Sequence, residues 1–276
     1  MTSNLLIFLV TFALFGSIFG QDQPQYCQPE DQNEFQDCTQ KFLTKYTNVP
    51  QSQIWNQMFL SDALYNKFVT ATSLTDVATL CNALTNFYQC VDTVFDRCLS
   101  PLGWISQGKS PAQAYINDGV LRQWAFMCGA GFEVLRDTTA FTCIQRTFAN
   151  NYDALYNQAL RAYQASVAYD PSHACNYTKI LQTSWAAVVS NTTCYQQKRE
   201  HQASFFGCGA ALEYVNAQFR HCAHQNTCAW TARWTWTSQF LKVEDGVKKL
   251  RIPTYHDQNE KGEWVEVQEH WVPLKE

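Results

Sequence analysis

Twelve cysteines carry the densest chemistry in this chain: Cys27, Cys38, Cys81, Cys90, Cys98, Cys128, Cys143, Cys175, Cys194, Cys208, Cys222 and Cys228. A cysteine can ligate a metal, act as a nucleophile or close a disulfide, and spacing helps to separate these uses. No two of them form a C-x-x-C pair. The nearest metal-like cluster is His221-Cys222-Ala223-His224, whose two histidines would share a helix face. An even count behind a secretory leader instead assigns all twelve to disulfides, each contributing about 2–4 kcal/mol by restricting the unfolded chain. Spacing leaves their connectivity open.

Other chemistry is sparse. The sequence has no G-x-S-x-G, no H-E-x-x-H, no phosphate-cradling glycine loop and no calcium loop. Its histidines, His173, His201, His221, His224, His256 and His270, show no recognised spacing with Ser or Asp. Glu133 and Glu213 are candidates for a carboxylate pair, but both fit a solvated helix surface better. The expectation is no enzyme, no cofactor and no metal. Two sequons, Asn176-Tyr177-Thr178 and Asn191-Thr192-Thr193, predict N-glycosylation at Asn176 and Asn191.

The run from Trp230 to Trp236 is rich in aromatics. On a helix Trp230 and Trp234 share a face beside Arg233; on a strand Trp234 and Trp236 do. Trp230, Arg233, Trp234 and Trp236 are therefore candidate binding residues for carbohydrate, lipid or protein. The plainer expectation is that these tryptophans pack the C-terminal segment onto the body.

Helical periodicity dominates the elements that position these residues. Residues 21–33 are polar and read as an extended arm, followed by helices over Glu34–Tyr46 and about Ile54–Val69. Ser73 with Asp76 opens a long helix expected to reach Leu99. Nine steps of about 100° put Cys81 and Cys90 on opposite faces of it, facing different neighbours. Ser110-Pro111 starts the next helix; Asn117-Asp118-Gly119 should interrupt it before it resumes near Val120. Further helices are expected over Tyr152–Tyr169, Pro171–Ser190 and Lys198–His224.

Cys128-Gly129-Ala130 echoes Cys208-Gly209-Ala210. Coincidence explains this better than duplication. The small residues in both should let a neighbouring helix approach.

The expected fold is an all-α, disulfide-stapled helical bundle over residues 21–236. A charged, cysteine-free extension, 237–276, follows it. In that extension Leu250-Arg251-Ile252 and Trp264-Val265-Glu266-Val267 are expected to form a short β-hairpin, turning near Asn259–Gly262. Such a hairpin would need Trp264 and Trp271 docked on the helical body.

Residues 1–20 read as a signal peptide. Leu5 to Phe15 is apolar except for Thr11, ends near small residues and is short of a membrane span. No lipid-anchor or retention signal ends the sequence. Net charge is −4 and only 16% of residues are charged, which disfavours a nucleic-acid partner. A secreted, extracellular chain without a membrane span is expected.

Aromatic-flanked cysteines give a family resemblance. Leu80-Cys81 through Phe87-Tyr88-Gln89-Cys90, then Phe126-Met127-Cys128, Thr142-Cys143 and Cys208-Gly209-Ala210-Ala211 resemble the nematode chondroitin proteoglycan 4 type of secreted domain. They are also similar to the wider set of nematode secreted cysteine-rich domains of unknown function. The resemblance spans about residues 27–228 and implies an extracellular protein, with no catalytic residue to carry over. Chondroitin attachment needs Ser-Gly in an acidic setting, and this sequence has no Ser-Gly dipeptide. The functional expectation is a non-enzymatic glycoprotein acting through protein or matrix contacts. The alternative is an extracellular carrier of a small apolar ligand held between helices.

Overall fold

Short polar side chains open the helices by accepting from otherwise orphaned amides. Ser73 accepts from the Asp76 amide, and Asp76 accepts from the Ser73 amide at 2.9 Å, a reciprocal cap. Ser100 and Ser110 cap the helices that begin with Pro101 and Pro111. Asp137 accepts from the Thr139 and Ala140 amides at 2.9 and 3.2 Å. The computed structural model describes residues 26–224, 228, 241–252, 255–258 and 264–273. The leader expected at 1–20, the run Trp230, Arg233, Trp234 and Trp236, and the turn expected at 259–262 lie outside them.

The helical order begins with α1 (Pro29–Cys38), continued by a π-helical stretch, Thr39–Thr44, and by Lys45–Thr47. Next come α2 (Gln51–Ile54), α3 (Phe59–Val69) and α4 (Leu74–Val91), then a π-helical turn, Phe95–Leu99. They lead to α5 (Pro101–Ser106), α6 (Pro111–Cys128), α7 (Ala130–Leu135) and α8 (Thr138–Asn150). A π-helical stretch, Asp153–Leu160, runs into α9 (Arg161–Tyr169), and a 3-10 turn, Pro171–His173, precedes α10 (Ala174–Val189). The series ends with α11 (Thr192–Gln196), α12 (Glu200–Asn216) and a 3-10 turn, Arg220–His224. The fold is all-α and stapled by disulfides.

Aromatic rings fill the core. Trp104, Trp124, Trp185, Phe68, Phe87, Phe148 and Phe206 are fully buried. Phe68 packs against Trp124, Phe148 and Phe206, with centroids 6.2, 5.5 and 6.2 Å away. Phe148 in turn meets Trp185 edge-on at 6.0 Å. Helices α6 and α12 cross closely because Gly119 and Gly209 lack side chains. A Cβ on Gly119 would stand 2.9 Å from the Tyr214 ring, and one on Gly209 would collide with the Phe126 ring. Gly129 does not fit the expectation of an approaching helix: a Cβ there would meet only carbonyls of its own segment, Ala125 and Phe126.

Several boundaries depart from the sequence expectation, each for a local reason. The N-terminal arm is shorter because Gln28 and Asp31 form a reciprocal cap and Pro29 starts α1. The helix from Ser73 stops at Val91, where Asp92 takes a φ of +30°, so Cys98 sits on a separate turn. Asn117-Asp118-Gly119 does not interrupt α6. Asn117 donates to the Trp55 carbonyl at 3.3 Å, Asp118 accepts from Arg122 at 3.0 Å, and Gly119 accommodates Tyr214. The last helix ends at Asn216, short of His224.

The chain falls into two compact units, Met1–Cys228 and Ala229–Glu276. The division expected after residue 236 lies outside the described residues. In the second unit β1 (Leu241–Glu244), β2 (Val247–Ile252) and β5 (His270–Pro273) form one antiparallel sheet in the order β1-β2-β5. Strands β3 (Tyr255–Gln258) and β4 (Trp264–Val267) form another. The expected hairpin is thus re-paired. Leu250 aligns with Leu241 and Val272, while Trp264 aligns with Gln258. Asp245 and Gly246 both have positive φ, 54° and 76°, which is what a two-residue hairpin turn demands. Trp271 packs beneath Lys242, whose Nζ stands 4.7 Å from the ring centre. Lys249 and Lys242 donate to Glu244 and hold its carboxyl down at about 2.

Candidate functional site

All twelve cysteines are paired: Cys27–Cys98, Cys38–Cys90, Cys81–Cys128, Cys143–Cys194, Cys175–Cys222 and Cys208–Cys228. Cys81 and Cys90 leave opposite faces of α4 for different partners, α6 and α1. His221 stands beside Cys175 and Cys222, with ligand atoms within 4.8 Å of one another. The two sulfurs are spent on each other, and a disulfide sulfur is not a thiolate ligand.

Asn176 and Asn191 are both exposed, at opposite ends of α10, each close in sequence to a bridged cysteine. Thr178 is fully buried and donates to the Ala174 carbonyl at 2.8 Å. Glu133 pairs with Arg136 at 3.1 Å on the protein surface.

One Ser, His and Asp do meet, at Asp170, Ser172 and His173. Both the Asp170 carboxylate, at 2.7 Å, and the Ser172 hydroxyl, at 3.2 Å, contact the same ring nitrogen, Nδ1. A relay needs the two ring nitrogens in different roles. Asp170 also accepts from the Ser172 amide, so this group closes a helix start. Its carboxyl is held low by hydrogen bonds from Ser172 and then His173.

Several grooves indent the helical body. One, of about 530 Å³, runs beside α6, α9 and α12 and is lined by Tyr115, Ile116, Val167 and Tyr214 among others. Burial pushes the Tyr214 hydroxyl well up, and it accepts from Gln164 Nε2 at 2.7 Å.

A second groove, of about 590 Å³, lies where α1, α2 and the turn after α5 meet. Phe35, Trp55 and Trp104 form its aromatic wall, with every pair of centroids 5.0–5.5 Å apart. Thr39, Gln107 and Lys109 also line it. Trp55 Nε1, Trp104 Nε1 and Thr39 Oγ1 are buried with no hydrogen-bond partner among the described residues. An unmet buried polar group costs about 1–3 kcal/mol. Thr47 and Thr178, similarly buried on helices, donate to the carbonyl four residues back; Thr39 does not. Half-buried Lys109 donates to the neutral Asn56 Oδ1 at 2.6 Å.

Sequence reasoning passed over this groove. Its tryptophans stand singly between breaks in the helical pattern and match no motif. The signal available was Trp104 enclosed by Gly103 and Lys109 just past a proline start. No protein family, curated protein or solved structure matches this chain.

Proposed function

We propose that the chain is a secreted, non-enzymatic, disulfide-stabilised glycoprotein that works through extracellular contacts with protein or matrix. The observation that carries this reading is the pairing of all twelve cysteines around a core filled by aromatic rings. Disulfides in this number form and persist in oxidising compartments. The apolar run expected to be a leader, the two exposed sequon asparagines and the resemblance of the cysteine–aromatic pattern to nematode secreted domains support it. Among the described residues, no helix is long and apolar enough to cross a membrane. The apolar groove beside α6, α9 and α12 favours the second reading, a carrier of a small apolar ligand.

Expression in secretory eukaryotic cells tests the proposal. The protein should appear in the medium and gain the mass of twelve hydrogens on full reduction. It should lose mass on enzymatic deglycosylation and bind saturably to decellularised matrix or a matrix protein. Retention inside the cell, free thiols or no saturable binding would overturn it. A copurified apolar molecule released on denaturation would favour the carrier.

A further inference from the structure

Alongside the side chains of Gln36, Gln51, Ser52 and Gln107, the groove formed by α1, α2 and the turn after α5 carries buried donors and a positive charge. Indole nitrogens can only donate, and so can an ammonium. Among the described residues Trp55 Nε1, Trp104 Nε1 and the Thr39 hydroxyl have no partner, and their residues are only 7%, 1% and 1% exposed. The amides of Gln51 and Gln107 are already committed, to the Gln36 carbonyl and to the Cys98 and Gly103 carbonyls. Lys109 adds a positive charge whose hydrogen-bond partner, Asn56, is neutral. The volume of about 590 Å³ falls within the range of small-molecule sites.

We propose that this groove binds a small carboxylate with an apolar body. The carboxylate would pair with Lys109 and, once a shift of the side chains uncovers them, accept from the buried indole and hydroxyl donors. The apolar body would lie along Phe35, Trp55 and Trp104. Among the described residues, donors without partners, a cation without an anion and an aromatic wall share one surface indentation, and one ligand class answers all three. This site goes beyond the contact reading and does not depend on it: a protein that acts through its outer surface can also hold a small acid here.

The test uses the secreted, oxidised chain and two probes of nearly the same shape, phenylacetate and its neutral amide, phenylacetamide. Calorimetric titration should show saturable phenylacetate binding, with the amide at least tenfold weaker. Lys109→Met keeps the side-chain stem and removes the charge; it should weaken phenylacetate at least tenfold and leave the amide unchanged. Trp55→Phe keeps a ring and removes the indole donor, and should weaken both probes. Lys41→Met, on an exposed ion pair with Asp37, should change neither. Circular dichroism confirms that each variant folds. No saturable binding of phenylacetate, equal affinity for acid and amide, or affinity unchanged by both Lys109→Met and Trp55→Phe would overturn the site.

Discussion

Two halves of the helical body are closed by the same arrangement of bridges, and no bridge joins one half to the other. In the first half Cys38–Cys90 and Cys81–Cys128 interleave, with separations of 52 and 47 residues. In the second, Cys143–Cys194 and Cys175–Cys222 interleave, with separations of 51 and 47. Each half then adds one bridge of its own. Cys27–Cys98 ties the start of the described chain to the turn after α4, and Cys208–Cys228 closes only 20 residues. Between the halves the chain passes once, through α7. The rest of that junction is noncovalent: Phe68 packs against Phe148 and Phe206, α6 meets α12 at Gly119 and Gly209, Tyr152 donates to Asp62 at 2.5 Å and Gln145 donates to the Phe68 carbonyl at 3.3 Å. Within a half, cross-links raise the free energy of the unfolded chain. Between halves, burial of large rings and side-chain hydrogen bonds do the holding. The echo of Cys128-Gly129-Ala130 in Cys208-Gly209-Ala210 does not follow this symmetry. Cys128 belongs to an interleaved pair, whereas Cys208 belongs to the added bridge.

The sharpest break of this comparison is all or none. Arg136 is exposed on the segment joining the halves. A specific protease site inserted after Arg136 should, once cut, give two fragments that separate fully under denaturing, non-reducing electrophoresis. Each should keep three intact disulfides by mass. Fragments that stay together until reduced would show a bridge across the junction and end the two-half account.

A smaller effect sharpens the equivalence. Loops of 52 and 51 residues should restrict the unfolded chain almost equally, by about 4 kcal/mol each on the loop-entropy estimate. Replacing Cys38 and Cys90 together by alanine should therefore cost about as much as replacing Cys143 and Cys194 together. Removing the 20-residue loop of Cys208–Cys228 should cost about 3 kcal/mol. Denaturant unfolding of the three double variants measures this. A gap above about 2 kcal/mol between the first two would mean that one half leans on its bridges more than the other.

Much of this body was legible before any coordinates. The periodicity of Val77, Leu80, Leu84, Phe87 and Val91 marks the buried face of α4, and Ser73 with Asp76 marks its start. The phase between Cys81 and Cys90 implied separate neighbours. The pairing itself was not legible, because it depends on which helices meet in space. Interior Asn, Asp and Gly misled at 117–119, since tertiary partners there supply what a turn would otherwise offer. The β1–β2 hairpin had a local signal, Asp245-Gly246 between alternating apolar residues, but the charge of the extension masked it. The Trp55–Trp104 groove left the faintest trace: its significance lies in donors without partners, a property of packing that one-dimensional patterns do not hold.

The smallest effect lies at Asp118, in the packed junction. Its side chain is 2% exposed and pairs with Arg122, which is 30% exposed. Burial pushes the Asp118 carboxyl up; attraction to Arg122, a hydrogen bond from it and attraction to Arg220 oppose the rise without cancelling it. The Tyr88 hydroxyl, fixed on the Leu121 carbonyl at 2.9 Å, feels the same charge and is itself pushed up mainly by burial. A carboxyl raised by folding holds its proton more tightly in the native state than in the unfolded chain. Its stabilising contribution is complete below the ordinary value of 3.8 and is lost as pH rises through the higher native value. Asp118→Asn removes that titration. The variant should lose a component of stability that falls with rising pH just above the ordinary carboxylate range. At neutral pH its stability should lie within about 1 kcal/mol of the parent, because the lost ion pair is partly open to water. Urea midpoints of parent and variant, compared from pH 3 to 7, read the difference directly. Parallel curves would mean that Asp118 has the same proton affinity folded and unfolded.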